Sequence, residues 1–438
     1  MNRRSGRKVV VLGIDGVPCT LLHRFAREGV MPNLGRLMEE GTLCSMTASL
    51  PEVSSTSWST FITGVNPGKH GIYGFMELQK DTYSWKFPNT NDLKARTLWE
   101  IAGDFGKRSI IINIPATYPA KPLNGMLVAG FVAPDLKKAS YPDTMYHYLK
   151  GVGYKLDVDA TRAVHALEAF TEDIMQTFRK RTEVIGHLYE AEEWDLFIAG
   201  ITETDRLHHY LWNALDDIRH PQHGFFMHFY HELDTFIGSF YRKVGEETPF
   251  VLLSDHGFTK IKSEVYLNVF LRQKGYLKFT RQKPESFAYL DGATKAFALD
   301  PSRIYLHTKE RYARGCVNDG SYDEIRKALR EDLLSLRIDG DPVIQQVFFK
   351  EDIYSGQCFE EAPDLVVLPH EGYDLKGSIA KEELSGKSPL TGGHTRENAA
   401  FYINRNIACK NLHIADAGAS VLKLLGIDFA GLDGTPLV

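Results

Sequence analysis

Three neighbouring hydroxyls, Ser54, Ser55 and Thr56, stand in "PEVSSTSWSTFITGVNPGKHGI" (Pro51–Ile72), just ahead of a helical pattern. Hydroxyls at a helix start either cap its free N–H groups or offer a nucleophile where the helix dipole favours a phosphate. The company they keep decides between these roles. Asp15 ends the run "VVVLGID", and Asp255 and His256 end "VLLSDHG". The run "WDLFIAG" leads into "ITETDRLHHYLW", which carries Glu203, Asp205, His208 and His209. His394 follows two glycines in "LTGGHTRENA". Singly, a strand-end Asp is often a cap and a Gly-rich turn is only a turn. Together, three Asp and three His offer oxygen and nitrogen ligands for two divalent metal ions. Zinc suits such a set, with manganese as the alternative.

The spacings carry this further. On a helix Asp205 and His209 are four apart and share a face. His208 is three away, so spacing leaves both histidines open. Asp255 and His256 are adjacent, and neighbours in a regular strand point to opposite faces. They converge on one ion only where the strand breaks, and Gly257 supplies the break. A hydroxyl beside such an ion loses its proton more easily and becomes a nucleophile. Two metals then hold the attacking and leaving oxygens of an in-line displacement.

These residues need a scaffold that gathers strand ends. Near-continuous apolar runs recur at Lys8–Asp15, Ser109–Pro115, Gly125–Phe131, Trp194–Gly200, Pro249–Asp255 and Asp364–Pro369. Such runs suit strands buried on both faces of a mostly parallel sheet. Between them, Pro32–Gly41, Thr171–Ala191, His228–Gly245 and Ile414–Ile427 read as amphipathic helices. Alternating strands and helices predict an α/β fold: a doubly wound, mostly parallel sheet with helices on both faces. Ligands of that fold sit beyond the carboxyl ends of the strands, where the candidate residues fall. We expect a single catalytic domain over 1–438. Residues 263–345, including a helix over Asp319–Leu336, read as an inserted subdomain beside the site that sets substrate choice.

Composition narrows the function. The 438 residues carry 51 Lys and Arg against 56 Asp and Glu, a net charge of −5, so no basic excess marks a nucleic-acid binder. The five cysteines, Cys19, Cys44, Cys316, Cys358 and Cys409, are scattered without a CxxC pair. That predicts neither a disulfide framework nor a thiolate zinc site. Cys19 and Cys44 read as small buried hydrophobes, and a reducing compartment follows. The basic start "MNRRSGRK" is followed by a short apolar run that ends at Asp15, with no cleavage signal. No apolar stretch reaches membrane-spanning length. A cytoplasmic protein without a membrane anchor is the expectation.

With these residues in view, the chain resembles the alkaline phosphatase superfamily, in its type I phosphodiesterase/nucleotide pyrophosphatase branch. The resemblance rests on "VLGIDG", "PNLGRLMEEG", "PEVSSTSWSTFITGVNPGKHGI", "TETDRLHH", "LLSDHG" and "GGH", in the family's order and across most of the chain. It implies that Asp15, Asp255 and His256, with the nucleophile, bind one metal. It implies that Asp205, His209 and His394 bind the other, which selects His209 over His208. Counting back from Thr63–Gly64, it makes Ser54 the nucleophile, a Ser where nucleotide pyrophosphatases usually carry Thr. Relatives acting on nucleotides have an Asn shortly after "HGI" that helps hold a phosphate oxygen. Here Phe75 falls at that place. Ser57, the N–H of Ser55 and Lys69 are the replacements on offer, and Lys69 reads first as a solvated turn residue.

Other residues carry plainer readings. Tyr118, in a loop after a strand, either lines the substrate pocket or packs on the core. Trp58 reads as core or as a lid over the site floor, and Glu203 as support for Asp205. His70 reads as orienting its loop. The histidines from His220 to His231 lack interleaved carboxylates for a metal. The expected function is a two-metal phosphohydrolase that forms a phospho-enzyme on Ser54, most simply a phosphodiesterase or nucleotide pyrophosphatase. A phosphomonoesterase or phosphomutase is the alternative within this chemistry, and an inactive metal-binding scaffold the alternative outside it. The expected partner is a small phosphate ester.

Overall fold

The computed structural model describes residues 7–438; the basic start of the chain, residues 1–6, lies outside them. Its centre is an eight-stranded sheet in the order Thr42–Met46, Ala399–Ile403, Phe250–Leu253, Val9–Ile14, Leu196–Ile201, Ser109–Ile114, Gly125–Ala129, Ser140–Tyr141. The five strands from Phe250–Leu253 to Gly125–Ala129 pair in parallel, and the strands outside them are antiparallel. Val9–Ile14 lies in the middle, with Val11 opposite Ile198 on one side and Val251 on the other.

The alternation of the strand's side chains divides its run between two cores. Val10, Leu12 and Ile14 pack under the helices Cys19–Arg27, Pro32–Glu40, Leu167–Ala191, Glu203–Asp216 and His223–Val244. Val9 and Val11 pack on the other face against Trp58, Phe61 and Ile62 of the helix Ser54–Thr63 and against Ile414–Leu424. Every residue of Val9–Ile14 is buried, and each large aliphatic side chain so placed stabilises by about 1.5–3 kcal/mol. Helices on both faces of a largely parallel sheet make this the doubly wound α/β fold that the pattern predicts.

One strand departs from expectation. Leu365–Pro369 is not in the parallel sheet; it joins an antiparallel sheet with Ala296–Leu299, Arg303–Leu306 and Ile344–Phe349. It is buried nearly throughout, so its unbroken apolar run is that of a layer-internal strand of either kind. This sheet, the strands Ser263–Tyr266 and Tyr373–Lys376, and the helix Asp319–Leu334 share a separate hydrophobic core, joined by Leu78 and Tyr83 from an earlier hairpin.

The cysteines also depart. Cys44 and Cys409 form a disulfide, and Cys44 is only half-buried. The pair is 365 residues apart in sequence, and only the antiparallel return of Ala399–Ile403 beside Thr42–Met46 brings the two together. The cysteine argument for a reducing compartment therefore falls away. Cys19 is buried, as expected. Among the described residues no helix is long and apolar enough to cross a membrane.

Candidate metal and nucleophile centre

Four segments meet the helix Ser54–Thr63 beyond the carboxyl end of the central strand. The first ends on Asp15, whose N–H donates to Ile201 O (2.9 Å) and whose carbonyl accepts from Thr204 Oγ1 (2.6 Å). Gly16 then turns with φ +66°, and a Cβ there would stand 2.9 Å from the Phe258 ring. Only glycine takes that turn in that space without strain. Its N–H donates to Asp255 Oδ1 (3.1 Å), tying the first segment to the second.

The opening hydroxyls resolve differently from a cap. The helix Ser54–Thr63 has Val53 at its N-cap and no side-chain cap bond. Ser54 Oγ instead lies 3.2 Å from Asp15 Oδ1 and 3.1 Å from His256 Nε2. The Oγ atoms of Ser55 and Ser57 and Oγ1 of Thr56 are buried without a partner. The segment after the helix is punctuated by its own residues. Gly64 (φ +66°) closes the helix, and Asn66 accepts from Gly68 N–H with Pro67 in the first turn. Gly71 (φ +80°) ends that turn. His70 sits beneath, donating to Thr60 Oγ1 (3.0 Å) and accepting from Ile72 N–H (3.1 Å). Lys69 is turned to Asp433 at the surface.

The third segment is the helix Glu203–Asp216. Asp205 Oδ1 lies 3.4 Å from His209 Nε2 and 3.3 Å from His394 Nε2. His208 faces elsewhere, between Gly16 O (2.8 Å) and Tyr230 Oη (2.6 Å). The fourth, Gly392–Thr395, pairs antiparallel with Gly257–Lys260, which sets His394 opposite Phe258 and stacks its ring on His256 at 3.7 Å.

The three clustered histidines share one design. Nδ1 of His209, His256 and His394 each lies 3.0 Å from a backbone oxygen, of Gly392, Gly257 and Glu52 respectively. A carbonyl only accepts, so each Nδ1 carries the proton and each Nε2 presents a lone pair to the shared space. His209 Nε2 and His394 Nε2 then face each other at 3.0 Å. Asp205, His209 and His394 form one group able to hold a cation, and Asp15, Asp205 and His256 another. Asp255 stands beside the second, its unpartnered Oδ2 3.3 Å from His256 Nε2.

Electrostatics point the same way. Burial raises the Asp15 carboxyl well above its ordinary value, helped by the charges of Asp255 and Asp205. Burial pushes Asp255 up to about 7. Burial opposes the charge on Asp205, but protonation of His209 or His394, and Arg206 beside it, hold its carboxyl well below the usual range. Burial lowers His256 to about 4, with His394 adding to it, and lowers His209 and His394 too. Three buried carboxylates and opposed lone pairs repel one another in isolation and are satisfied by divalent cations. The residues present thus fit two such ions.

Several contributors have no plain signature in sequence. Trp58 Nε1 donates to Asp15 Oδ2 (2.8 Å). Gly13 makes room for it, since a Cβ there would meet the Trp58 ring at 2.3 Å. Arg206 reaches Asp205 Oδ2 from the same helix (3.4 Å). Glu203, read as support for Asp205, turns away to a fully buried pair with Arg181 (2.7 Å). Tyr118 packs against the core on the Trp58 side of the sheet, and its carbonyl accepts from Thr90 N–H (2.9 Å). His223 lies 2.7 Å from Ala214 O and His228 3.8 Å from Glu232, so these two serve local contacts.

Residues 9–395 match the family model described as type I phosphodiesterase / nucleotide pyrophosphatase. Among solved structures, the phosphonoacetate hydrolase of Sinorhizobium meliloti 1021, seen with phosphonoformate, superimposes with a TM-score of 0.65 at 17% identity, covering 96% of each chain. Murine ectonucleotide pyrophosphatase / phosphodiesterase 5 gives 0.57 at 14% identity, over 98% of this chain and 97% of that one. The human form of that protein gives 0.58 at 14% identity over the same shares. At such identities the likeness is one of fold. No curated protein gives a significant sequence match.

Proposed function

The chain belongs to the type I phosphodiesterase/nucleotide pyrophosphatase family, and from that premise we propose that it hydrolyses phosphoric esters through a phosphoseryl intermediate on Ser54. Asp205, His209 and His394 would hold one divalent cation; Asp15, Asp255 and His256, with Ser54, the other. When bound, the two cations, zinc first and manganese as the alternative, supply Lewis acidity and offset the charge that builds on the transferring phosphoryl group.

The chain's own residues do the rest. Ser54 Oγ gives up its proton and bonds to phosphorus as the bond to the leaving oxygen breaks in line, and the leaving oxygen takes up a proton. Water then cleaves the phosphoserine and restores the hydroxyl. Trp58 fixes Asp15, and the carbonyls of Gly392, Gly257 and Glu52 fix the three imidazoles, so the donor set is arranged before substrate arrives. The observation that carries this reading is the position of Ser54 Oγ, uncapped and within 3.2 Å of both Asp15 and His256. The substrate class is a small phosphate ester. An inactive variant of the murine relative binds AMP and the Sinorhizobium relative binds phosphonoformate.

The test is to react metal-loaded protein with a labelled phosphate ester, quench in acid and locate the label by mass spectrometry. Label on Ser54, absent from Ser54→Ala, supports the reading. Full activity in Ser54→Ala removes it. Phosphomonoester hydrolysis is the second reading, favoured by Phe75, which packs edge-on to Phe131 (5.1 Å) where nucleotide-acting relatives place a polar amide. The relative efficiencies on p-nitrophenyl phosphate and its diester separate the two.

A further inference from the structure

With Phe75 apolar and Lys69 paired to Asp433 at the surface, neither of those two residues holds a free phosphoryl oxygen. Arg206 has the geometry to do so. It follows Asp205 on the helix Glu203–Asp216 and its side chain is 14% exposed. Asp157 grips one edge of the guanidinium, with Nε donating to Oδ1 (3.2 Å) and Nη2 to Oδ2 (2.7 Å). Its plane lies over the Phe131 ring at 4.2 Å, and that same ring packs against Phe75.

That clamp leaves Nη1 as the free corner. Among the described residues its one hydrogen-bond partner is Asp205 Oδ2 at 3.4 Å, long for a charge-assisted bond. Asp205 turns its other oxygen to His209 and His394. The free corner of Arg206 is therefore one carboxylate away from the space that the imidazole lone pairs share. An arginine has five N–H donors in a rigid fork, and Asp157 and Asp205 together engage three of them. A guanidinium held on two sides by a carboxylate and a ring, with its open corner beside a cation site, is built to meet an oxyanion.

We propose that Arg206 binds a free oxygen of the substrate's phosphoryl group, in the role that Phe75 leaves vacant, and so biases the site toward dianionic groups. The inference rests on the reading of the site as a phosphohydrolase centre. Its logic is one of charge. A monoester or phosphonate brings two negative charges on its free oxygens, whereas a diester brings one. A fixed cation in addition to two metals favours the former.

The test compares metal-loaded wild type with Arg206→Ala and Arg206→Lys. Metal content is read by elemental analysis, affinity for inorganic phosphate by calorimetry, and kcat/KM on p-nitrophenyl phosphate and bis(p-nitrophenyl) phosphate. In Arg206→Ala, phosphate affinity should fall about tenfold or more with metal content unchanged, and Lys should recover part of it. Monoester turnover should fall about tenfold further than diester turnover. Unchanged phosphate affinity overturns the proposal, as does loss of metal, which would make Arg206 a positioning residue for Asp205. Equal losses on both esters overturn the charge bias. Wild type that binds phosphate through Arg206 but hydrolyses neither ester defeats the functional reading and leaves Arg206 its role; wild type without phosphate affinity defeats both. If Arg206→Ala does not fold, Asp157→Asn loosens the clamp instead, and it should weaken phosphate binding in the same direction.

Discussion

Two adjacent histidines show how much a single side chain's direction decides. His209 aims Nε2 at Asp205 and His394, while His208 bridges Gly16 O and Tyr230 Oη in the buried interior. We predict that His209→Ala lowers bound metal toward one ion per chain, measured by elemental analysis. His208→Ala should keep both ions and instead cost about 1–3 kcal/mol of stability, because it strands two buried hydrogen-bonding groups. Spacing along the helix left this choice open, and the packing of Tyr230 on the neighbouring helix closes it. His70 gives a prediction in pH. Burial lowers it to about 3, against about 6.5 in an unfolded chain. The folded state keeps it neutral while the unfolded state takes up a proton. Its contribution is thus complete above about pH 6.5 and is lost as the pH falls toward 3. In urea unfolding of metal-free protein, His70→Asn should lose less of its midpoint between pH 7 and pH 5 than wild type does.

At the scale of elements, the site depends on contacts that no local pattern announces. The strand Val9–Ile14, the helix Ser54–Thr63 and the glycine turns could all be read from apolar runs and from Gly, Asn and Pro in their usual places. The same periodicities could not tell that Trp58 spans the gap between that helix and that strand to hold Asp15. Nor could an apolar run reveal that Leu365–Pro369 belongs to the antiparallel layer. Gly13 is the point where strand and helix touch. Gly13→Ala would drive a methyl into the Trp58 ring, so we predict a loss of about 1–3 kcal/mol by overpacking. Turnover should fall with it, since Asp15 loses its indole donor. Thermal melting together with steady-state kinetics checks both. A stable, fully active Gly13→Ala would mean that Trp58 is dispensable to Asp15.

For the molecule as a whole, the arrangement of the site sets a condition on stability. Three buried carboxylates and three neutral imidazoles are gathered from segments as distant as Asp15 and His394, so cations that bind only the folded chain stabilise all of it. At about a thousandfold over the dissociation constant, one such site contributes on the order of 4 kcal/mol. Chelation should lower the melting temperature by several degrees, and zinc or manganese should restore it. An unchanged melting curve would exclude tight binding at these residues. Asp15, Asp205, His209, Asp255 and His256 were legible as candidates because they stand at a strand end or on a helix next to one, where a doubly wound sheet collects its chemistry, whereas His394, inside the short strand Gly392–Thr395, was a candidate only in their company. The disulfide was not, because no spacing rule links residues that meet only through strand order.

That disulfide has a consequence for how copies of the chain meet. Thr42–Met46 is an outermost strand of the central sheet, bonded to Ala399–Ile403 on one side. The segment from Arg405 to Ile414 lies against it, held by the Thr42 and Cys44 side chains and by Thr47 just past its end. Thr42 Oγ1 donates to Arg405 O and accepts from Ile407 N–H, Thr47 N–H donates to Leu412 O, and Cys409 is bonded to Cys44 between them. An uncovered strand edge is a template for a second chain, and here a loop is stapled across it. We therefore predict that the bond guards against self-association rather than bracing the active centre. Cys409→Ser should retain metal and turnover, yet show concentration-dependent light scattering on warming that the intact protein does not.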